Sequence, residues 1–404
     1  MTSYDVVIVG GGATGSSVAF HLLSDPDFSG RVLVVEKDAT YRLAASALSA
    51  ASIRQQYSQP VNIRMSLYGI GFLRDIGRHL AVDGEAPAIG LSEAGYLYLA
   101  GEAHAEALRE NHVAQRREGA DIRLLDRSAL GERFPWLALD GVTLGSWGAS
   151  GEGWFDGWAL LQAFRRKARH LGAEYRQDEV VGLEVTGGCV VGVHLREGGF
   201  VACGGGALVN CAGTNGPRIA AMAGIPLPVQ AKRRSVFAFT CRTPLQAAPL
   251  LIDMSGVWMR PEGRPGPDGQ TYIAGWSPPP ESDPDWRDED PDTQAVDWSL
   301  FEEVVWPALA ARVPAFQTIR PGRAWAGPYD MNLFDHNAVL GPAADVENLY
   351  LCNGFSGHGL QQSPAVGRGL AERIIHGRYT TLDLFSLGYE RLAAGKPLLE
   401  QNVI

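Results

Sequence analysis

The chain has 404 residues, 46% of them hydrophobic, and a formal net charge of −10, which supports two or more domains and argues against nucleic acid or an anionic membrane as main partner. Five cysteines, at 189, 203, 211, 241 and 352, have no CxxC spacing and no nearby histidine set, so no metal site is expected and a reducing compartment fits. No signal peptide precedes the first apolar run and no run reaches the ~18 residues of a membrane span, so the expected location is cytoplasmic.

Residues 5–9 (DVVIV) read as a short buried parallel strand. Gly10, Gly12 and Gly15 follow in GxGxxG spacing, with Ala13 and Thr14 between them, and residues 16–23 continue as a helix. A second buried strand, RVLVVEK, ends in Glu36 and Lys37, with Glu36 about 20 residues beyond Gly15. The first glycine permits the tight turn, the second lets a pyrophosphate reach backbone N–H groups, and the third lets helix and strand pack closely. The carboxylate accepts from ribose hydroxyls, which favours an adenine dinucleotide without a 2′-phosphate.

The next stretch, KDATYRLAASALSAASIRQQYSQP, has small side chains and no helical stripe. Ser46, Ser49, Ala50 and Ala51 allow close backbone approach to a ligand, and the stretch ends in Arg54, Gln55, Gln56 and Tyr57. An NAD-binding Rossmann domain would continue strand, helix, strand here. The pattern instead suits a segment that crosses a large planar cofactor and enters a substrate cavity, which favours FAD.

Residues 178–202 read as alternating strands with glycine turns, and a buried strand ends at Ala212 and Gly213. Residues 227–240 form a long strand carrying Lys232, Arg233 and Arg234. Two strands around a Gly/Pro-rich turn follow, with Trp258 and Arg260 on the first. Residues 277–294 are acidic and proline-rich, a solvated loop by default and a mobile lid as the sharper alternative. A helix is expected over 296–311. The stretch RPGRAWAGPYD holds Gly327 and Tyr329, and HNAVLG and ENLYLC are the last strands. A loop of Gly354, Phe355, Ser356, Gly357, His358, Gly359, Leu360 and Gln361 then leads into a helix expected near Ser363.

The N-terminal fingerprint, SALSAASIRQQYS and NGFSGHGLQQSPAVGRGLAE together resemble the D-amino-acid oxidase-like FAD-dependent oxidoreductases. The similarity runs in order along nearly the whole chain and extends to the sarcosine oxidase, D-amino-acid dehydrogenase and FAD-dependent oxidoreductase domain-containing branches. It implies an α/β plus α+β fold, in which a Rossmann-type FAD-binding domain (1–85, 150–222 and 322–390) carries an inserted, mostly antiparallel β substrate domain (86–149 and 223–321), followed by a tail (391–404). It also implies that the C-terminal glycine loop lies along the flavin, with the following helix aimed at its pyrimidine end. The backbone near Val181 would border the adenine, and the Ala212–Gly213 turn is either a second cofactor contact or only a strand end.

The implied activity is oxidation of the C–N bond of an amino acid or a secondary or N-methyl amine. Hydride would pass to flavin N5, giving an imine that water hydrolyses. A substrate carboxylate calls for an arginine, and Arg54, Arg234 and Arg260 are the candidates. Tyr57, Trp258 and Tyr329 match the family's pocket-lining positions, and His358 is a weaker candidate base. The segments where relatives attach flavin covalently read ASALSAAS and AGPYD, without Cys or His, so noncovalent FAD is expected. The lysine that sarcosine oxidases place over the flavin is missing from TYIAG, and Gln361 stands where such oxidases carry another. Either oxygen or another electron acceptor therefore serves. A flavoprotein kept for assembly, without an amine substrate, is the alternative, and a collapsed apolar cavity would mark it.

Overall fold

The computed structural model describes residues 3–402. Its first sheet has six strands in the spatial order 339–343, 346–353, 207–210, 6–9, 32–36 and 174–177. All neighbours are parallel except the first pair. Strand Val6–Val9 is buried along its whole length, and its alternation sorts the two faces. Val6 and Ile8 pack with helix residues Phe20, Met65, Phe164 and Val366. Val7 and Val9 pack with Val180, Val193, Val201 and Ile219 from the meander and short helix opposite. Such double coverage is what a near-continuous run of Val and Ile requires.

The second sheet has eight strands, in the order 320–332, 229–241, 269–276, 257–266, 250–252, 96–100, 144–148 and 122–126. It is antiparallel except where Leu250–Ile252 runs parallel to Tyr96–Ala100. Its outer face buries Phe237, Phe239, Met259 and Tyr272 against Phe301, Val305, Leu309 and Phe316.

The fold is thus a parallel Rossmann-like sheet joined to a mostly antiparallel one, as expected, but several elements begin elsewhere. The first helix spans Ala13–Ser24, starting directly at the glycine loop rather than at residue 16. The C-terminal helix spans Gly359–His376 and contains Pro364 in its second turn. Pro364 has no N–H for the Leu360 carbonyl, and the Ser363 hydroxyl donates to that carbonyl instead, at 2.8 Å. The helix therefore starts before the proline and not after it. The two helices cross where a Cβ on Gly367 would come within 2.1 Å of Ser17, and the Ser17 hydroxyl donates to the Ser363 carbonyl at 2.7 Å.

The helix expected over 296–311 is composite: a turn at Trp298–Leu300, a π-helical stretch Phe301–Val305 and an α-helix Trp306–Arg312. The wide turn sits beside Pro307, which cannot donate to the carbonyl four residues earlier. The Ala/Ser segment contains one helical turn, Ala45–Leu48. No helix among the described residues is long and apolar enough to cross a membrane.

Candidate functional site

A cavity lies between the two sheets, with about 310 Å³ open to the centre of a water molecule, a size that ordinary ligand pockets share. Its walls come from both ends of the chain. Gly10, Gly12 and Thr14 line it with Phe355, Gly357, His358, Gly359, Leu360 and Gln361. Glu36, Lys37, Ser46, Ser49, Ala50, Ala51, Ala212, Gly213 and Gly327 complete the part expected to hold a cofactor.

The nucleotide end is built mostly from backbone. Gly10 has φ +98°, and a Cβ there would lie 2.4 Å from the Cys211 carbonyl oxygen. A Cβ on Gly15 would lie 2.0 Å from the Gly10 carbonyl oxygen, whereas at Gly12 the nearest atom is Ser46 Oγ at 3.5 Å. The first and third glycines are thus packed on the protein itself, and the second leaves an open face towards the cavity. The helix N-terminus at Ala13 carries no acidic residue in its first turn and its N-cap, Gly12, has no side chain, so apart from Ala13 N–H, which donates to Ser46 Oγ at 3.2 Å, it can meet an anion. Glu36 accepts from Gly11 N at 2.8 Å and from Asp38 N at 2.9 Å. Burial pushes its carboxyl above the usual range, against those two backbone bonds. These features fit a dinucleotide: glycines for the pyrophosphate, a helix N-terminus for its charge and a fixed acid for a ribose.

The other end is a buried polar knot. Arg54 is 1% exposed, and its own N–H donates to Gln361 Oε1 at 3.0 Å. The guanidinium lies 4.0 Å from the Tyr57 ring centroid and 5.8 Å from that of Tyr98. It donates to the carbonyls of Gln56 and Asn402 and, at 2.9 Å, to His358 Nε2. A guanidinium can only donate, so Nε2 is the unprotonated nitrogen of His358. Burial, then the Arg54 charge, holds His358 well below its ordinary pKa and therefore neutral. Its lone pair is committed to Arg54, which takes His358 out of the general-base role. Among the described residues no carboxylate forms an ion pair with Arg54.

The other two arginines are neutralised. Arg234 lies 4.5 Å from the Tyr329 ring centroid and makes a two-pronged pair with Asp283, at 2.5 and 3.0 Å. Arg260 does not line the cavity. It donates to the Ala50 carbonyl at 2.7 and 3.2 Å and pairs with Glu262 at 2.5 Å. It shares a strand face with Trp258, which does line the cavity, but the crossing segment intervenes and Arg260 holds that segment in place.

Tyr57 is fully buried behind Arg54, with no described partner for its hydroxyl, and does not reach the cavity wall. Tyr329 does reach it, donating to the Ser356 carbonyl at 2.5 Å. Its ring fills the space that a Cβ on Gly357 would need. Ala13, Gly15, Gly354 and Ser356 lie beneath the lining and shape it. Val181 points outward at 41% exposure, and its neighbour Val180 lines the cavity instead.

Two buried carboxylates behind this end belong to no motif in the sequence. Glu152, fully buried, accepts from Gln55 N at 2.5 Å, Gln56 N at 3.1 Å and Gln56 Nε2 at 2.8 Å. It fixes the turn that delivers Arg54, and burial pushes its pKa up to about 7. Its sequence signal is an acid set among Gly148, Gly151 and Gly153. A Cβ on Gly148 would sit 1.7 Å from Glu152 Oε2. Glu400, also fully buried, accepts from Ser58 N, Ser58 Oγ, Gln59 N, Asn62 Nδ2 and Asn402 N at 2.7 to 3.1 Å. It pins the C-terminal strap whose Asn402 carbonyl meets Arg54.

A two-sheet α/β fold with a glycine-cradled dinucleotide site facing a buried arginine defines a flavoprotein-type oxidoreductase scaffold. The family model described as FAD dependent oxidoreductase matches residues 5–373, and the chain belongs to that family. The chain is 42% identical to FAD-dependent oxidoreductase domain-containing protein 1 of Xenopus laevis over 99% of its own length and 85% of that protein. It is 26% identical to sarcosine oxidase subunit beta of Rhizobium meliloti (strain 1021), over 93% and 85% of the two chains. L-proline dehydrogenase from P. horikoshii shares the fold, with a TM-score of 0.82, 23% identity and coverage of 98% and 99%.

Proposed function

We infer that the protein oxidises the C–N bond of an amino acid or of a secondary or N-methyl amine bearing a carboxylate, with noncovalent FAD held in the described cavity. The observation that carries this reading is Arg54: a buried cation on the cavity wall whose hydrogen-bond partners among the described residues are all neutral. A buried charge left without a counter-ion is costly, and a substrate carboxylate relieves that cost. Arg234 and Arg260 already have carboxylates and offer less.

FAD, when bound, supplies the hydride acceptor. The chain's own residues position and enclose. Arg54 takes the carboxylate, and Glu152 and Glu400 hold the turn that presents Arg54. Tyr96, Leu250 and Trp258 give the cavity an apolar wall against which the substrate side chain packs. Neutral His358 leaves the amine to enter as the free base, with its lone pair available. The cavity is open rather than collapsed and carries Arg54 and Arg234 on its wall, which speaks against an assembly role without substrate. Lacking the oxidase lysine, the site suits an electron acceptor other than oxygen.

Anaerobic titration with a panel of D-, N-methyl and cyclic amino acids tests this. At least one member should bleach the visible flavin band of the wild type, and Arg54→Ala should raise the concentration needed by about a hundredfold. A panel that leaves the band untouched would refute the assignment. Acid precipitation should release all of the flavin into the supernatant.

A further inference from the structure

The acidic segment 277–295 is not a free loop. Trp286 is 4% exposed, and its backbone N–H donates to the Ala231 carbonyl at 3.0 Å. Arg233 N donates to the Pro284 carbonyl at 2.8 Å, so the segment runs beside the long strand Val229–Cys241. Its aspartates then reach to both ends of the cavity. Asp283 pairs with Arg234 at the substrate end, and Asp285 pairs with Lys232 at 2.8 Å. Asp288 reaches the nucleotide end, where it accepts from Lys37 Nζ, from Asn215 Nδ2 at 2.9 Å and from Trp286 Nε1 at 2.8 Å. Lys37, Asn215, Arg234 and Asp288 all line the cavity.

Asp288 is the junction. Lys37 follows the strand that ends in Glu36, and Asn215 closes the turn after Gly213. One carboxylate therefore joins both edges of the nucleotide pocket to a segment otherwise anchored on the second sheet. Resting on the reading that FAD occupies this cavity, we propose that residues 277–295 form a clasp that retains the cofactor. In this account Asp288, Lys37 and Asn215 make the catch, and FAD leaves only when the catch opens. Lys37, expected among the cofactor-binding residues, acts on the cofactor through the clasp in this account. The side chains of Lys37 and Asp285 are 42% and 49% exposed, so salt weakens the latch.

The test is FAD dissociation from the purified holoenzyme, followed by the fluorescence of released flavin after dilution. Asp288→Asn and Lys37→Met should each release FAD about tenfold faster or more, since each removes a charge-assisted bond from the catch. Raising NaCl from about 0.05 to 0.5 M should speed wild-type release several-fold and change the variants less. Glu289→Gln, exposed on the same segment, should behave as wild type. Release at the wild-type rate from both variants, or wild-type release indifferent to salt, overturns the clasp while the cofactor reading stands. Protein that neither purifies with FAD nor takes it up overturns the cofactor reading, and the clasp falls with it.

Discussion

The two ends of the cavity are built from different materials. At the nucleotide end, Gly10, Gly12, Gly15 and the N–H of Gly11 present backbone, and only Glu36 adds a long polar side chain to that turn. At the Arg54 end, side chains drawn from distant parts of the chain (Arg54, Gln56, Glu152, His358 and Glu400) form a network by bonding to one another and to the backbone of the 55–59 turn and the C-terminal strap. A backbone site tolerates no added bulk, whereas a side-chain network tolerates no missing partner.

The largest effect is expected from bulk at the first end. Gly15→Val puts side-chain atoms against the Gly10 carbonyl, which cannot withdraw. The cost should exceed the ~1–3 kcal/mol of ordinary overpacking. Flavin content and melting temperature should both collapse, and a variant that purifies yellow with normal stability would erase the contrast. Next comes Glu400→Ala, which strands the donors of Ser58, Gln59, Asn62 and Asn402 at a cost on the order of 3 kcal/mol. Calorimetry should show the loss while the flavin content stays normal, which would separate the two ends.

The smallest effect concerns pH. Glu152 has its pKa raised to about 7 by burial, so the folded protein holds that proton more tightly than the unfolded chain does. The resulting stabilisation is complete below the unfolded value of about 4.3 and disappears as pH rises through about 7. Relative to Glu152→Gln, the wild type should lose on the order of 2 kcal/mol between about pH 5 and 8. Parallel melting curves for the two proteins across that range would refute the assignment.

The contrast also explains what the sequence discloses. The fingerprint of residues 5–36 and the loop of 354–361 are local patterns whose meaning lies in φ angles and missing side chains, and both are readable in a single stretch. The cluster at Arg54 to Tyr57 announces a polar arrival at a cavity but not its partners. Glu152 acts on Gln55 across 97 residues, and Glu400 acts on Ser58 across 342. No spacing rule connects such pairs. The start of the C-terminal helix was hidden for a different reason, because the repair of Pro364 by Ser363 is a side-chain substitution for a backbone bond. Arg260 was ambiguous because strand alternation gives a face but not what covers it.

The order of the six-stranded sheet bears on how the chain is made. Strand 6–9 sits between 32–36 and 207–210, and 207–210 in turn needs 346–353 beside it. At synthesis speeds of roughly 5–20 residues per second, the first strand waits about 10–40 s for its inner neighbour and up to roughly a minute for the outer one. For that interval the ribosome carries an apolar ribbon with an unsatisfied edge. Until its last fifth has emerged, the polypeptide thus carries exposed apolar surface of the kind that makes nascent chains prone to aggregate.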